Sequence, residues 1–201
     1  MKKKTIVFAI MLTFSLIMGY LFSFWCNVFL KEKESKQVLN KTYELIKLAE
    51  NTEKSTNTSE EHNSKDKILL ENNVLGILVI PKLNVEAPIK DGTTQDIMRN
   101  FIGHFIESDY WNGNVSLASH NGGTSAHYFE NLKKLQIDDE IVYITKFGKR
   151  KYKVKKVFNI SSYDWQEVIS NNKSESENTI TLITCINGLP NYRLCVKGVE
   201  I

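Results

Sequence analysis

From Val74 onward the apolar residues fall in short β-type runs separated by turn residues, and this spacing restricts the region to a sandwich or a barrel. The runs are Val74–Ile80, ended by Pro81; Val85–Ile89, ended by Lys90-Asp91-Gly92; Val115–Ser119; Thr179–Thr184; and Tyr192–Val199. Ile141–Thr145 and Lys151–Ile160 read as a hairpin about Phe147-Gly148-Lys149. Short helices fit at Thr94–Asn100 and Ala126–Leu135. The roughly 128 residues involved suffice for one core.

Charge narrows the function classes. The chain carries a formal net charge of +3, but residues 74–201 hold 15 basic and 14 acidic side chains, so they lack the basic excess of a nucleic-acid domain. The basic stretch Lys146–Lys156 has a period of two. Lys149, Lys151, Lys153 and Lys155 share one face and Tyr152 and Val154 the other, as on a half-buried strand with a solvated lysine side.

The region before residue 74 has a different character. Thr5 to Leu30 is a run of 26 residues without a charge, following Lys2-Lys3-Lys4. A bilayer-spanning helix needs about 20 apolar residues. The run is too long for a signal peptide and ends in Phe22-Ser23-Phe24-Trp25-Cys26, where a cleavage site needs small residues. Residues 1–30 are therefore expected to be a short basic tip and an uncleaved anchor, whose orientation the flanking charges do not decide. Lys31–Glu50 has helical spacing, with Leu39, Tyr43 and Ile46 at i, i+4 and i+7. Asn51–Lys67 is polar and reads as a flexible linker. Residues 31–73 are thus expected to be a spacer, the alternative being a helix docked on the domain at 74–201.

Three cysteines are present, Cys26, Cys185 and Cys195, with neither CxxC nor zinc-site spacing. Cys185 ends an apolar run where a strand gives way to a loop, a place where a rigid element can hold a reactive group at a surface. It reads either as a nucleophile or as an inert thiol. Arg193 follows eight residues later, opposite Cys185 if the two strands are neighbours. A guanidinium can hydrogen-bond an oxyanion or a substrate carbonyl. A thiol nucleophile also needs a base. His120, before Asn121-Gly122-Gly123, and His104 and His127 are all candidates; His62 lies in the linker. Cys195, between Leu194 and Val196, reads as core.

Several segments carry a family resemblance. Thr181-Leu182-Ile183-Thr184-Cys185 with Arg193 resembles the TLxTC…R signature of sortases, and Leu117-Ala118-Ser119-His120-Asn121 resembles their histidine segment. Gly76-Ile77-Leu78-Val79-Ile80-Pro81-Lys82-Leu83 with Pro88-Ile89 is similar to their opening strands, and Gly103-His104-Phe105 and Gly113-Asn114 recur in their middle portion. The short Cys-to-Arg loop and Gly103-His104-Phe105 look like class D, whereas Ser119-His120-Asn121 departs from that class's Gly-His-Arg and resembles some class A members.

The resemblance implies an eight-stranded β-barrel with short helices over residues 74–201. It implies Cys185 as nucleophile, His120 as general acid/base, Arg193 as oxyanion and substrate stabiliser, and Thr184 and Asn121 as substrate-binding residues. His104 and His127 then revert to structural roles. Asp164-Trp165 and Ser170–Asn178 would form the loop before the nucleophile strand. The implied reaction is transpeptidation: cleavage of an LPxTG-like sorting motif through a thioacyl-enzyme, then transfer to an amine. The implied partners are surface proteins with a C-terminal sorting signal and, as acceptor, a peptidoglycan precursor or a pilin amine. No cofactor is implied, and no acidic cluster matches the calcium site of some class A members, so no metal is expected. The implied setting is the Gram-positive cell membrane, with the N-terminus cytoplasmic and the catalytic domain extracellular. Hydrolysis of the same motif and a non-enzymatic binding module on a sortase-like barrel are the competing expectations.

Overall fold

In a computed structural model, which describes residues 2–53, 69–123, 126–169 and 177–201, the β runs close into a barrel. Its strands are β1 (Val74–Ile80), β2 (Val85–Asp91), β3 (Ile102–His104), β4 (Asn114–Ala118), β5 (Glu140–Thr145), β6 (Gly148–Ser161), β7 (Thr179–Ile186) and β8 (Leu189–Glu200). Their order around the barrel is β1-β2-β3-β4-β7-β8-β6-β5. Two neighbouring pairs, β2–β3 and β4–β7, are parallel. Closure leaves no open sheet edge. Among the described residues two short α-helices accompany the strands, α2 (Gln95–Met98) and α3 (Gln166–Ile169).

Alternation along each strand separates two apolar clusters. Leu78, Ile80, Ala87, Ile89, Leu117, Tyr152, Ile180, Leu182 and Val196 belong to the main core. A second cluster, Phe105, Ile169, Ile183 and Cys195, gathers residues of the opposite strand faces, with Ala118, Phe158, Ile160 and Val168 packed against it. The expected β5–β6 hairpin is present. Tyr152 and Val154 are buried, while Lys149, Lys151 and Lys155 are exposed and Lys153 is half-buried.

Two local features differ from expectation. Ile102–His104 forms a strand too short to show a period in sequence. Ala126–Leu135 is not an α-helix; it holds a 3-10 turn at Leu132–Lys134. Its backbone bonds run from Glu130 N to His127 O, from Leu132 N to Phe129 O and from Leu135 N to Leu132 O, each spanning three residues. Phe129, Leu132 and Leu135 are the buried side chains there. Their spacing of three suits the 3-10 repeat rather than 3.6.

A single helix, α1, runs through Lys2–Glu53 without a break near residue 30. The chain divides into two compact units, Met1–Val38 and Leu39–Ile201. In the first, apolar side chains such as Phe14, Leu16, Phe24 and Trp25 are exposed. Among the described residues no helix is long and apolar enough to cross a membrane. In the second, the last turns of α1 belong with the barrel: Thr42 and Ile46 are buried, and the Tyr43 hydroxyl donates to Glu86 Oε1 of β2 at 2.6 Å. Burial, reinforced by the Glu86 hydrogen bond and charge, pushes the Tyr43 hydroxyl up to about 12. Most of the expected linker, 54–68, lies outside the described residues.

Candidate active site

Strand register brings the proposed site residues to one level. On the parallel pair β4–β7, Ala118 is opposite Ile183, and the ladder runs one step further as Ser119 N donates to Ile183 O at 3.4 Å. Two residues past Ala118 and Ile183 stand His120 and Cys185. On the antiparallel pair β7–β8, Cys185 is opposite Arg193. Cys185 is exposed, and His120 and Arg193 are half-buried. By alternation Cys185 shares its strand face with Ile183, so it stands at the edge of the second apolar cluster.

The β7–β8 ladder is irregular beside the cysteine. After the Cys185–Arg193 pair the next is Ile186 with Leu189, so residues 190–192 bulge from β8. Arg193 closes that bulge: its Nη1 donates to Pro190 O at 2.7 Å and to Tyr192 O at 2.8 Å. The guanidinium has further donors on Nε and Nη2. The strands join through Asn187-Gly188, where Gly188 takes φ +79°, a conformation that favours glycine.

Thr184 and Asn121 are both held by backbone. Thr184 is buried, and its hydroxyl donates to Ser119 O at 2.7 Å. Asn121 Nδ2 donates to Cys185 O at 2.7 Å. Beside them the buried Ser119 hydroxyl has no hydrogen-bond partner among the described residues.

The other candidates lie apart from this constellation. His104 is fully buried; its Nδ1 is 3.0 Å from Asp91 Oδ1, and its Nε2 is 3.0 Å from Asp109 O and 3.1 Å from Ser108 Oγ. Tyr110 OH donates to the same Asp91 oxygen at 3.1 Å. Ser108 Oγ accepts from Ser116 N of β4 at 3.0 Å, so this network fixes the start of the strand that leads to His120. Asp91, Ser108 and Tyr110 had no signal in the sequence beyond the apolar flanks of His104. His127 lies on the surface, 3.5 Å from Glu130. Cys195 is buried in the second cluster, and burial pushes its thiol up to about 12. All three cysteines are free. Of the loop before β7, Trp165 packs edge-on against Phe105, while residues 170–176 lie outside the described residues. Among the described residues no group of His, Cys, Asp and Glu side chains is assembled to hold a metal ion.

The family model for the sortase domain matches residues 78–201, more than half of the chain. The chain belongs to the sortase family. Sortase D of Bacillus subtilis (strain 168) is 29% identical over 112 residues, which are 55% of this chain and 53% of that protein. The chain thus spans about half the length of this curated relative. Among solved structures, the Clostridium perfringens sortase D5 transpeptidase is 26% identical, with 83% of this chain and 98% of that one covered at a TM-score of 0.62. Sortase C1 of GBS pilus island 1 is 23% identical and covers 81% of this chain and 82% of its own at a TM-score of 0.62, a likeness of fold. A class D kinship is consistent with these sortase relatives, which are cysteine transpeptidases as a family.

Proposed function

We propose that this sortase is a membrane-tethered cysteine transpeptidase that cleaves an LPxTG-like sorting motif and joins the cleaved protein to an amine of the cell wall or of a pilin. The observation that carries the reading is the register that brings His120, exposed Cys185 and Arg193 to one level of β4, β7 and β8. In this reading the Cys185 thiolate attacks the carbonyl carbon of the motif's threonine. Arg193 donates hydrogen bonds to the oxyanion, with Nη1 bracing the bulge and Nε and Nη2 reaching the substrate. The peptide C–N bond breaks as His120 passes a proton to the leaving amine, and a thioester remains. The acceptor amine then attacks the thioester, gives its proton to His120 and releases the thiolate. The second apolar cluster beside Cys185 suits the apolar residues that precede the scissile bond.

The uncharged run Thr5–Leu30 and its exposed apolar side chains support an anchor in the cell membrane. With the catalytic domain acting on surface proteins, the N-terminus would be cytoplasmic and the barrel extracellular. The test is to incubate the protein with an LPxTG peptide and triglycine. The expected product is the peptide joined to triglycine; hydrolysis product alone would overturn the transpeptidase reading in favour of an endopeptidase.

A further inference from the structure

The bonds that flank His120 are made by side chains where the ladder calls for backbone. In a parallel pair the hydrogen bonds are evenly spaced. The rungs after Ser119 N–H to Ile183 O would run from Cys185 N–H to Ser119 O and then from Asn121 N–H to Cys185 O. Here the donor to Cys185 O is instead the Asn121 side-chain amide, at 2.7 Å. From the other strand the Thr184 hydroxyl donates to Ser119 O, also at 2.7 Å. Each strand thus reaches across with a side chain to the other's carbonyl. The residues immediately before and after His120 are both tied to the Thr184-Cys185 step. The backbone ladder of β4 and β7 ends at Ala118 and Ile183, and beyond it the two segments remain cross-linked by these side chains. Gly122 and Gly123 follow at φ +147° and +105°, conformations that favour glycine. Asn121 is therefore the anchor between His120 and a glycine turn.

We propose that Asn121 is a positioning residue, which with Thr184 sets the separation of the His120 imidazole and Cys185 Sγ by holding the Cys185 carbonyl, and that it does not bind substrate. The role rests on the cysteine acyl-transfer reading above. A misplacement of about 1 Å at a reacting pair costs on the order of 100-fold in rate, which is why a surface amide bonded to the nucleophile's own carbonyl matters.

The test uses the full chain and the variants N121A, N121D, T184V and T184S. Aspartate keeps the shape of asparagine but presents an acceptor to the Cys185 carbonyl. Valine keeps the shape of threonine without the hydroxyl, and serine restores it. One readout needs no peptide: the pH profile of Cys185 alkylation by iodoacetamide. The other is the kcat and KM of thioacyl formation with an LPxTG peptide. N121A and N121D are expected to lower kcat by about 10- to 100-fold, leave KM within roughly twofold, and displace the alkylation profile, with thermal unfolding little changed. T184V should follow them and T184S should recover.

A KM raised tenfold or more in N121A, with kcat and the alkylation profile unchanged, would make Asn121 a substrate contact and overturn the proposal. Wild-type behaviour on every readout would also overturn it. If the wild-type chain forms no thioacyl-enzyme, the acyl-transfer reading fails, and the alkylation profile still decides the clamp. A displaced profile in N121A supports it, and superimposable profiles overturn it.

Discussion

Cys185 on β7 lies directly opposite Arg193 on β8, and the next pair in the ladder is Ile186 with Leu189, so the chain bulges beside the sulfur. Arg193 both faces the cysteine and, through Pro190 O and Tyr192 O, holds the bulge that shapes its surroundings. A lysine carries a point charge on a flexible stem and lacks the rigid planar donor set that lets one nitrogen hold both carbonyls while Nε and Nη2 stay free. Arg193→Lys should therefore lose roughly 10-fold or more in thioacyl formation, and Arg193→Ala on the order of 10²–10³-fold, as for loss of an oxyanion donor. Single-turnover kinetics with an LPxTG peptide measure this; near-normal turnover in Arg193→Lys would remove the guanidinium from the mechanism.

Two histidines should give opposite phenotypes. His104 is buried and hydrogen-bonded to Asp91, and removing it leaves that buried carboxylate oxygen and its other partners short of a bond, at about 1–3 kcal/mol for each unsatisfied group. His104→Ala should lower the denaturant midpoint sharply. His120 is half-buried and has no such pair among the described residues, so His120→Ala should keep its stability but lose about 10²–10⁴-fold in activity. Urea melts and acylation rates on both variants separate the roles.

The two cysteines of the barrel should differ in reactivity and in their effect on stability. The buried Cys195 thiol stays protonated up to about 12, so at pH 8 iodoacetamide should label Cys185 and spare Cys195 in the native protein. Peptide mapping reads the sites. The linkage sign follows. Between the thiol's ordinary value of 9.0 and about 12, the folded chain retains a proton that the unfolded chain has lost. Stability from this group is complete below the ordinary value and declines as pH rises towards 12. Cys195→Ala should flatten that part of the alkaline decline, leaving the contributions of Tyr43, Tyr143 and Tyr152, whose hydroxyls burial also raises.

The last turns of α1 should contribute to folding of the catalytic unit. Ile46 is buried, and Tyr43 donates to Glu86. A chain starting at Leu39 should match the full chain in urea midpoint, whereas one starting at Leu69 should lose roughly 2 kcal/mol or more, the usual cost of emptying one buried aliphatic site. Equal midpoints would reduce the segment to a spacer.

Ser119→Ala removes a buried hydroxyl without a partner while the Thr184 bond to the Ser119 carbonyl remains. Losing an unsatisfied polar group relieves its desolvation cost. The melting temperature of this variant should stay level or rise; a fall of several degrees would mean that the hydroxyl is satisfied in solution.

Period and punctuation made most strands readable. β1, β2, β5 and β7 carry unbroken or alternating apolar runs, and the short Cys-to-Arg spacing put Arg193 opposite Cys185 on condition that the two strands are neighbours, as they are. What could not be read was register between distant strands. Alternation assigns a face to Ala118 and to Ile183 but not a partner. The parallel pairing of β4 with β7, whose ends lead into His120 and Cys185, joins segments more than 60 residues apart. The roles of Asn121 and Thr184 as cross-strand donors depend on that register and were hidden with it. The buried Asp91–His104 pair was hidden for the same reason, because β3 is three residues long and its contacts come from β2 and the following loop.

The central claim is that Cys185 forms a thioacyl bond with a cleaved sorting motif, assisted by His120. Intact-protein mass spectrometry after incubation with a library of LPxTG-like pentapeptides tests it most directly. The expected result is an adduct of the peptide's N-terminal part on Cys185, lost on adding an amine, absent in Cys185→Ala and strongly reduced in His120→Ala. An adduct on another residue, or motif cleavage that survives in Cys185→Ala, would contradict it.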